Sequence, residues 1–207
     1  MPDCQLYLIS PLDVSGAFPE RLALALDAGP VAAFQFRVKD IDEHAAARLA
    51  APLQEICAAR DVTFIVNDFV GLAKRLGADG VHLGQSDGSV GDARAELGRE
   101  AQIGVTCHAS RHLGIDAGEA GADYVAFGAF FPSTTKTTEH QAELELLEWW
   151  QQIMEIPCVA IGGITPDNCT PLVKAGADFL AVSAAVWNGD EAQAVRDFAA
   201  AIAAAGA

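Results

Sequence analysis

The chain has 207 residues, 51% of them hydrophobic and 20% charged, the balance of a folded protein with one sizeable core rather than a disordered chain. A formal net charge of −15 argues against binding nucleic acid or anionic lipid, both of which want a basic face, and no apolar run approaches the roughly 20 residues that cross a bilayer. Five scattered cysteines (Cys4, Cys57, Cys107, Cys158 and Cys169), none in a Cys-x-x-Cys pair, suggest neither a disulfide framework nor a zinc site. Reduced thiols, and an N-terminus with no basic stretch ahead of an apolar one, make a cytoplasmic location the expectation. Nothing asks for a second domain, so residues 1–207 are read as one.

In chain order, short and nearly continuous apolar runs predict strands at 6–10, 33–37, 64–67, 80–83, 103–106, 124–127, 158–162 and 179–183. Segments with apolar residues three and four apart predict helices between and after them, around 17–28, 42–60, 69–76, 89–98, 110–120, 141–154, 167–175 and 190–204. Acids and a proline mark several helix starts: Pro19 with Glu20, Asp42 with Glu43, and Asp190 with Glu191. A Gly-Ala-Asp phrase recurs at Gly77, Gly121 and Gly176, each time as a helix end, a glycine cap and the start of a strand. Eight strand–helix alternations without a long linker predict an α/β fold, a single-domain (β/α)₈ TIM barrel, which takes roughly 200 residues at the least. An open doubly wound sheet is the rival, but no G-x-G-x-x-G loop follows the first strand.

Active sites of such barrels form at the C-terminal ends of the strands. Strand two ends in Gln35, Arg37 and Lys39, which a period of two points the same way. If that way is inward, two cations need an anion, either a ligand or internal partners such as Asp68 or Asp87. Asn67-Asp68 after strand three and Gln-Ser-Asp87 after strand four would each alone read as a turn or a helix cap. Together they offer the two carboxylates that Mg²⁺ takes beside water and substrate phosphate. After strand six, Ser133, Thr134 and Thr135 beside Lys136 offer donors and a point charge suited to phosphate, although a solvated loop would look the same. The Gly162-Gly163 turn and the Val182-Ser183 end of strand eight fall where this fold commonly cradles phosphate on backbone N–H groups. Thr106-Cys107-His108 follows strand five, with Cys107 read as a buried filler. The Trp149-Trp150 pair is expected to pack the sixth helix against the barrel.

QFRVKD at 35–40, ND at 67–68, DGVHLGQSD at 79–87, FPSTTK at 131–136 and AIGGI at 160–164 together resemble the thiamine-phosphate synthase family, over about residues 6–186. The resemblance implies condensation of hydroxymethylpyrimidine diphosphate with hydroxyethylthiazole phosphate, giving thiamine phosphate and pyrophosphate. Motif by motif, it implies that Gln35, Arg37, Lys39, Asn67, Thr106 and Lys136 hold the pyrimidine diphosphate. Asp68 and Asp87 would bind Mg²⁺, while Ser133, Thr135, Gly163, Val182 and Ser183 would hold the thiazole phosphate. Arg37, Lys39 and Lys136 would be the catalytic cations of a dissociative route with no enzyme nucleophile. The family often has serine at the position of Thr106 and threonine at that of Ser133; both exchanges keep a hydroxyl. The implied partners are small phosphorylated molecules, and homo-oligomerisation is left open. A related thiazole tautomerase, with His108 as its acid–base residue, and a non-catalytic phosphate-sensing barrel are the alternatives.

Overall fold

The structure is a computed structural model that describes residues 4–132 and 141–206. Its elements in chain order are β1 (Gln5–Ile9), α1 (Phe18–Ala28), β2 (Ala33–Phe36), α2 (Glu43–Ala58), β3 (Thr63–Asn67), α3 (Val70–Leu76), β4 (Gly80–Leu83), α4 (Val90–Leu97), β5 (Gln102–His108), α5 (Arg111–Glu119), β6 (Tyr124–Gly128), α6 (Leu144–Ile153), β7 (Cys158–Ile161), α7 (Thr170–Lys174), β8 (Phe179–Val182), α8 (Ala184–Trp187) and α9 (Glu191–Gly206). Neighbouring strands pair in parallel, and β8 closes on β1. The fold is the single-domain (β/α)₈ barrel expected from the alternation of elements.

The strands read as continuous apolar runs because both faces are covered. Outward side chains such as Phe34, Phe64 and Phe127 are fully buried under the helices, each contributing about 1.5–3 kcal/mol. Inward side chains, among them Tyr7, Ile65, Tyr124 and Val159, fill the barrel as a separate cluster. Trp150 is fully buried against Phe127 and donates its indole N–H to the Ile156 carbonyl at 2.7 Å, so it packs α6 as expected. Trp149 carries the Arg111 guanidinium over its ring.

The repeated phrase has a mechanical cause. Gly77, Gly121 and Gly176 all have positive φ, which only glycine adopts freely, and the alanine after each donates its N–H back into the preceding helix. The aspartate that follows then turns its carboxylate onto the previous strand. Asp79 accepts the Phe64 N–H, Asp123 the Ile103 N–H and Asp178 the Cys158 N–H, at 2.7, 2.7 and 2.8 Å. Each phrase thus ties two consecutive strands together at their N-terminal ends, opposite the mouth.

Departures from the expected boundaries are local. Strand two stops at Phe36, not at residue 37, because the Arg37 N–H goes to the Ser10 hydroxyl and not to a strand carbonyl. β5 runs on to His108 through a register shift after Thr106. The segment expected to be helical at 167–175 winds only over α7, since the Asn168 side chain takes the Thr165 N–H into a turn first. The four-residue α8 is too short to show a period.

Candidate active site

The rim at the strand C-termini gathers four of the expected residues. Arg37 leaves β2 with its backbone gripped on both sides by Ser10, whose hydroxyl accepts the Arg37 N–H at 2.9 Å and donates to the Arg37 carbonyl at 3.0 Å. Ser10 is buried at the end of β1, and sequence reading passed over it; its one signal is a polar residue closing an apolar strand. Asp68 follows β3 at φ 67°, in a tight turn where Phe69 N–H returns to the Asn67 carbonyl. Asp87 folds back in the β4–α4 loop and accepts the Gly84 N–H at 2.9 Å.

Electrostatics show that these groups face one another. Burial pushes the half-buried Asp68 carboxyl up to about 6, and the negative charge of Asp87 with a hydrogen bond to it pushes the same way. Lys39 and Arg37 pull it down, so both cations lie within reach of the acid pair. Among the described residues, neither cation forms an ion pair with a carboxylate. Two carboxylates forced together beside unpaired cations form a donor set suited to a divalent cation and an anion.

Below the rim lies a row that the sequence did not disclose. Gln35 is buried and donates from Nε2 to the Tyr7 hydroxyl at 3.0 Å, so its amide lies in the barrel floor. The Tyr7 and Tyr124 hydroxyls meet at 2.9 Å, Tyr124 meets His82 Nδ1 at 3.1 Å, and His82 Nε2 meets Thr106 Oγ1 at 2.8 Å. Burial pushes Tyr7 up to about 12 and His82 down to about 4, which keeps phenol and imidazole neutral. Gly104 is required here, because a side chain would overlap the Tyr124 ring. His82 stands inside one of the recognised motifs, and its inward register two residues after Gly80 was the available signal. Asn67, also buried, pairs in register with His82 across β3 and β4.

The remaining wall is backbone. Phe130 N–H and Phe131 N–H donate to the carbonyls of Ile161 and Gly162, at 3.2 and 3.0 Å. Ala142 N–H returns to the Ala129 carbonyl at 2.9 Å, bringing both described ends of the β6–α6 connection together beside Gly163. Gly163 has φ 63°, and a β-carbon on it would collide with the Pro132 carbonyl. Asn168 bonds the Thr165 N–H and the Gly163 carbonyl at 2.8 and 3.0 Å, fixing this turn. Val182 ends β8, and Ser183 begins the turn into α8, its hydroxyl donating to the Ser10 carbonyl at 3.4 Å. Ser133, Thr135 and Lys136 lie outside the described residues. His108 closes β5 at φ 50°.

The fold, with cations and paired acids on one rim, has the form of a barrel enzyme that acts on small phosphorylated molecules. A family profile described as thiamine monophosphate synthase matches residues 6–186. The thiamine-phosphate synthase of Erythrobacter litoralis (strain HTCC2594) is 73% identical over 205 residues, covering 97% of this chain and 96% of that protein. That of Rhodospirillum centenum (strain ATCC 51521 / SW) is 55% identical over 201 residues, covering 96% and 97%. The solved thiamine phosphate pyrophosphorylase from Pyrococcus furiosus matches with a TM-score of 0.87 at 29% identity, over 99% of this chain and 98% of that one. The chain belongs to the thiamine monophosphate synthase family. Its activity is that of a thiamine-phosphate synthase, a transferase of thiamine biosynthesis, so the reaction expected from the motifs holds and the tautomerase and sensor alternatives fall away.

Proposed function

We propose that the chain joins hydroxymethylpyrimidine diphosphate to hydroxyethylthiazole phosphate by a Mg²⁺-dependent dissociative route, with the departing pyrophosphate held at the Arg37–Asp68–Asp87 rim. One observation carries this reading: the Asp68 carboxyl is hydrogen-bonded to Asp87, with Lys39 and Arg37 near enough for their charges to act on it. Such a cluster is costly when empty and is relieved by a divalent cation with a diphosphate. The residues fit the metal, Asp68 and Asp87 being the two carboxylates that would hold it. When bound, Mg²⁺ supplies positive charge against the diphosphate oxygens.

The chain's own groups do the rest. Arg37 and Lys39 bind the diphosphate, and Lys136 neutralises the charge that grows on it as the methylene C–O bond breaks. The bond's electron pair leaves with pyrophosphate, and the resulting pyrimidinylmethyl cation is stabilised by its ring amine. The thiazole nitrogen lone pair then forms the C–N bond, and no protein nucleophile or strong base is needed. Gln35, Asn67 and Thr106 hold the pyrimidine. Ser133, Thr135, Gly163 and the backbone at Val182 and Ser183 hold the thiazole phosphate and keep the two rings in line. The site must also keep water from the cation.

A cytoplasmic setting is supported by the five cysteines, all free and buried. Among the described residues no helix is long and apolar enough to cross a membrane. The deciding experiment mixes the purified chain with both phosphorylated halves, with and without Mg²⁺. Thiamine phosphate and pyrophosphate in equal amounts, formed only with the metal, are expected; formation undiminished by a chelator overturns the metal assignment.

A further inference from the structure

Barrel interiors are packed mainly by branched aliphatic side chains, yet here five polar groups run across the floor. From Gln35 through Tyr7, Tyr124 and His82 to Thr106 they come from β2, β1, β6, β4 and β5, joined by four hydrogen bonds of 2.8–3.1 Å. Such a row costs desolvation that apolar residues would not, and it holds together because no buried side-chain nitrogen or oxygen among the described residues lacks a partner.

Counting protons gives the row a direction. Each phenol has one hydrogen to donate, and a neutral imidazole has one. With the Gln35 amide nitrogen donating to Tyr7, both hydroxyl hydrogens are used within the row only when Tyr7 donates to Tyr124 and Tyr124 to His82 Nδ1. The imidazole proton then sits on Nε2 and points at the Thr106 oxygen. Turning the Gln35 amide over reverses every link and reaches Thr106 as the opposite request. The two ends are therefore coupled, although they stand on strands β2 and β5.

We propose that Tyr7, Tyr124 and His82 are positioning residues that fix the sense of the Gln35 amide, leaving its Oε1 as an acceptor and the Thr106 hydroxyl proton as a donor, and so select a pyrimidine bearing an exocyclic amine over one with oxygen in its place. This rests on the reading above that Gln35 and Thr106 meet the pyrimidine. An amine offers hydrogens to Oε1; an oxo group offers only lone pairs and leaves that acceptor opposed. A site built on hydrogen bonding rejects a mismatched analogue strongly, because its buried groups are left unpaired.

The test uses the purified full chain with Mg²⁺ and compares Kd for the 4-amino pyrimidine diphosphate with that for its 4-oxo counterpart, because the ring amine also stabilises the cation and would bias turnover. The wild type is expected to prefer the amine by about a hundredfold or more, and Tyr7→Phe and Tyr124→Phe to cut that preference at least about tenfold. Equal losses on both substrates, with the preference unchanged, overturn the proposal and leave the tyrosines a packing role. A second readout needs no variant in the row: ¹⁵N spectra of the wild type with the amine ligand should show His82 protonated at Nε2 and bare at Nδ1. The reverse tautomer, or a doubly protonated ring, overturns the direction of the row. Should the wild type make no thiamine phosphate at all, the functional reading fails, while the tautomer still decides whether the relay runs as described.

Discussion

Replacing Asp68 with asparagine should make the metal-free protein more stable at neutral pH, although it removes a residue of the site. Asp68 holds its proton up to about pH 6 in the folded chain, against 3.8 ordinarily, chiefly through burial and then through the charge of Asp87. The unfolded chain releases that proton near 3.8, so the stability this group offers is full below that value and is lost as pH rises to about 6. At full weight a shift of this size is about 3 kcal/mol. The carboxyl is only half buried, and solvent screening reduces that to about 1 kcal/mol. Asparagine keeps the shape, removes the charge and gives Asp87 a donor. For a chain of this length, about 1 kcal/mol raises Tm by about 2–4 °C. Thermal melts of chelator-treated wild type and Asp68→Asn at pH 7.5 and pH 4.5 should show the gain at the higher pH and little difference at the lower. Millimolar Mg²⁺ at pH 7.5 should raise the wild-type Tm and leave the variant nearly unmoved. A variant less stable than wild type at pH 7.5, or equally stabilised at both pH values, would refute the account of the acid pair.

Lys136→Ala should lower turnover by about two to three powers of ten, the scale of losing one charge partner in a transition state; near-normal steady-state rates would reject its role. Gly163→Ala puts a side chain at φ 63° and against the Pro132 carbonyl; KM for the thiazole phosphate should rise about tenfold or more while the diphosphate KM holds. Asp178→Ala strands the Cys158 N–H and loses the Gln151 contact. Chemical denaturation should show a loss of about 1–3 kcal/mol, with kcat of the folded protein unchanged.

Much of this molecule could be read before it was seen, because its barrel follows local rules. Gly77, Gly121 and Gly176 announce helix ends by needing positive φ, and Asp42 and Asp190 cap α2 and α9 where an acid was expected, accepting the Ala45 and Gln193 N–H groups. The placing of Arg37, Lys39, Asp68 and Asp87 on one rim was legible because charges at strand ends are rare enough to stand out. The floor was not. Tyr7 and Tyr124 are 117 residues apart in sequence and look like ordinary core aromatics; only closure of the sheet brings their hydroxyls together. Gln35 was expected beside the cations by its period of two, and that period is right, but depth along the strand decides whether a side chain meets solvent or the interior. Ser10 acts through its hydroxyl on another strand's backbone, a contact that no spacing within one strand reveals.

The three Gly-Ala-Asp ties grip the barrel at the end remote from its reactive groups. Folding strength and chemistry therefore draw on opposite ends of the same strands. The mouth can carry crowded charge, an exposed Phe69 and turns at positive φ without loosening the frame. Substitutions around the rim are free to retune which rings are joined, while the clasped end goes on deciding whether there is a barrel at all.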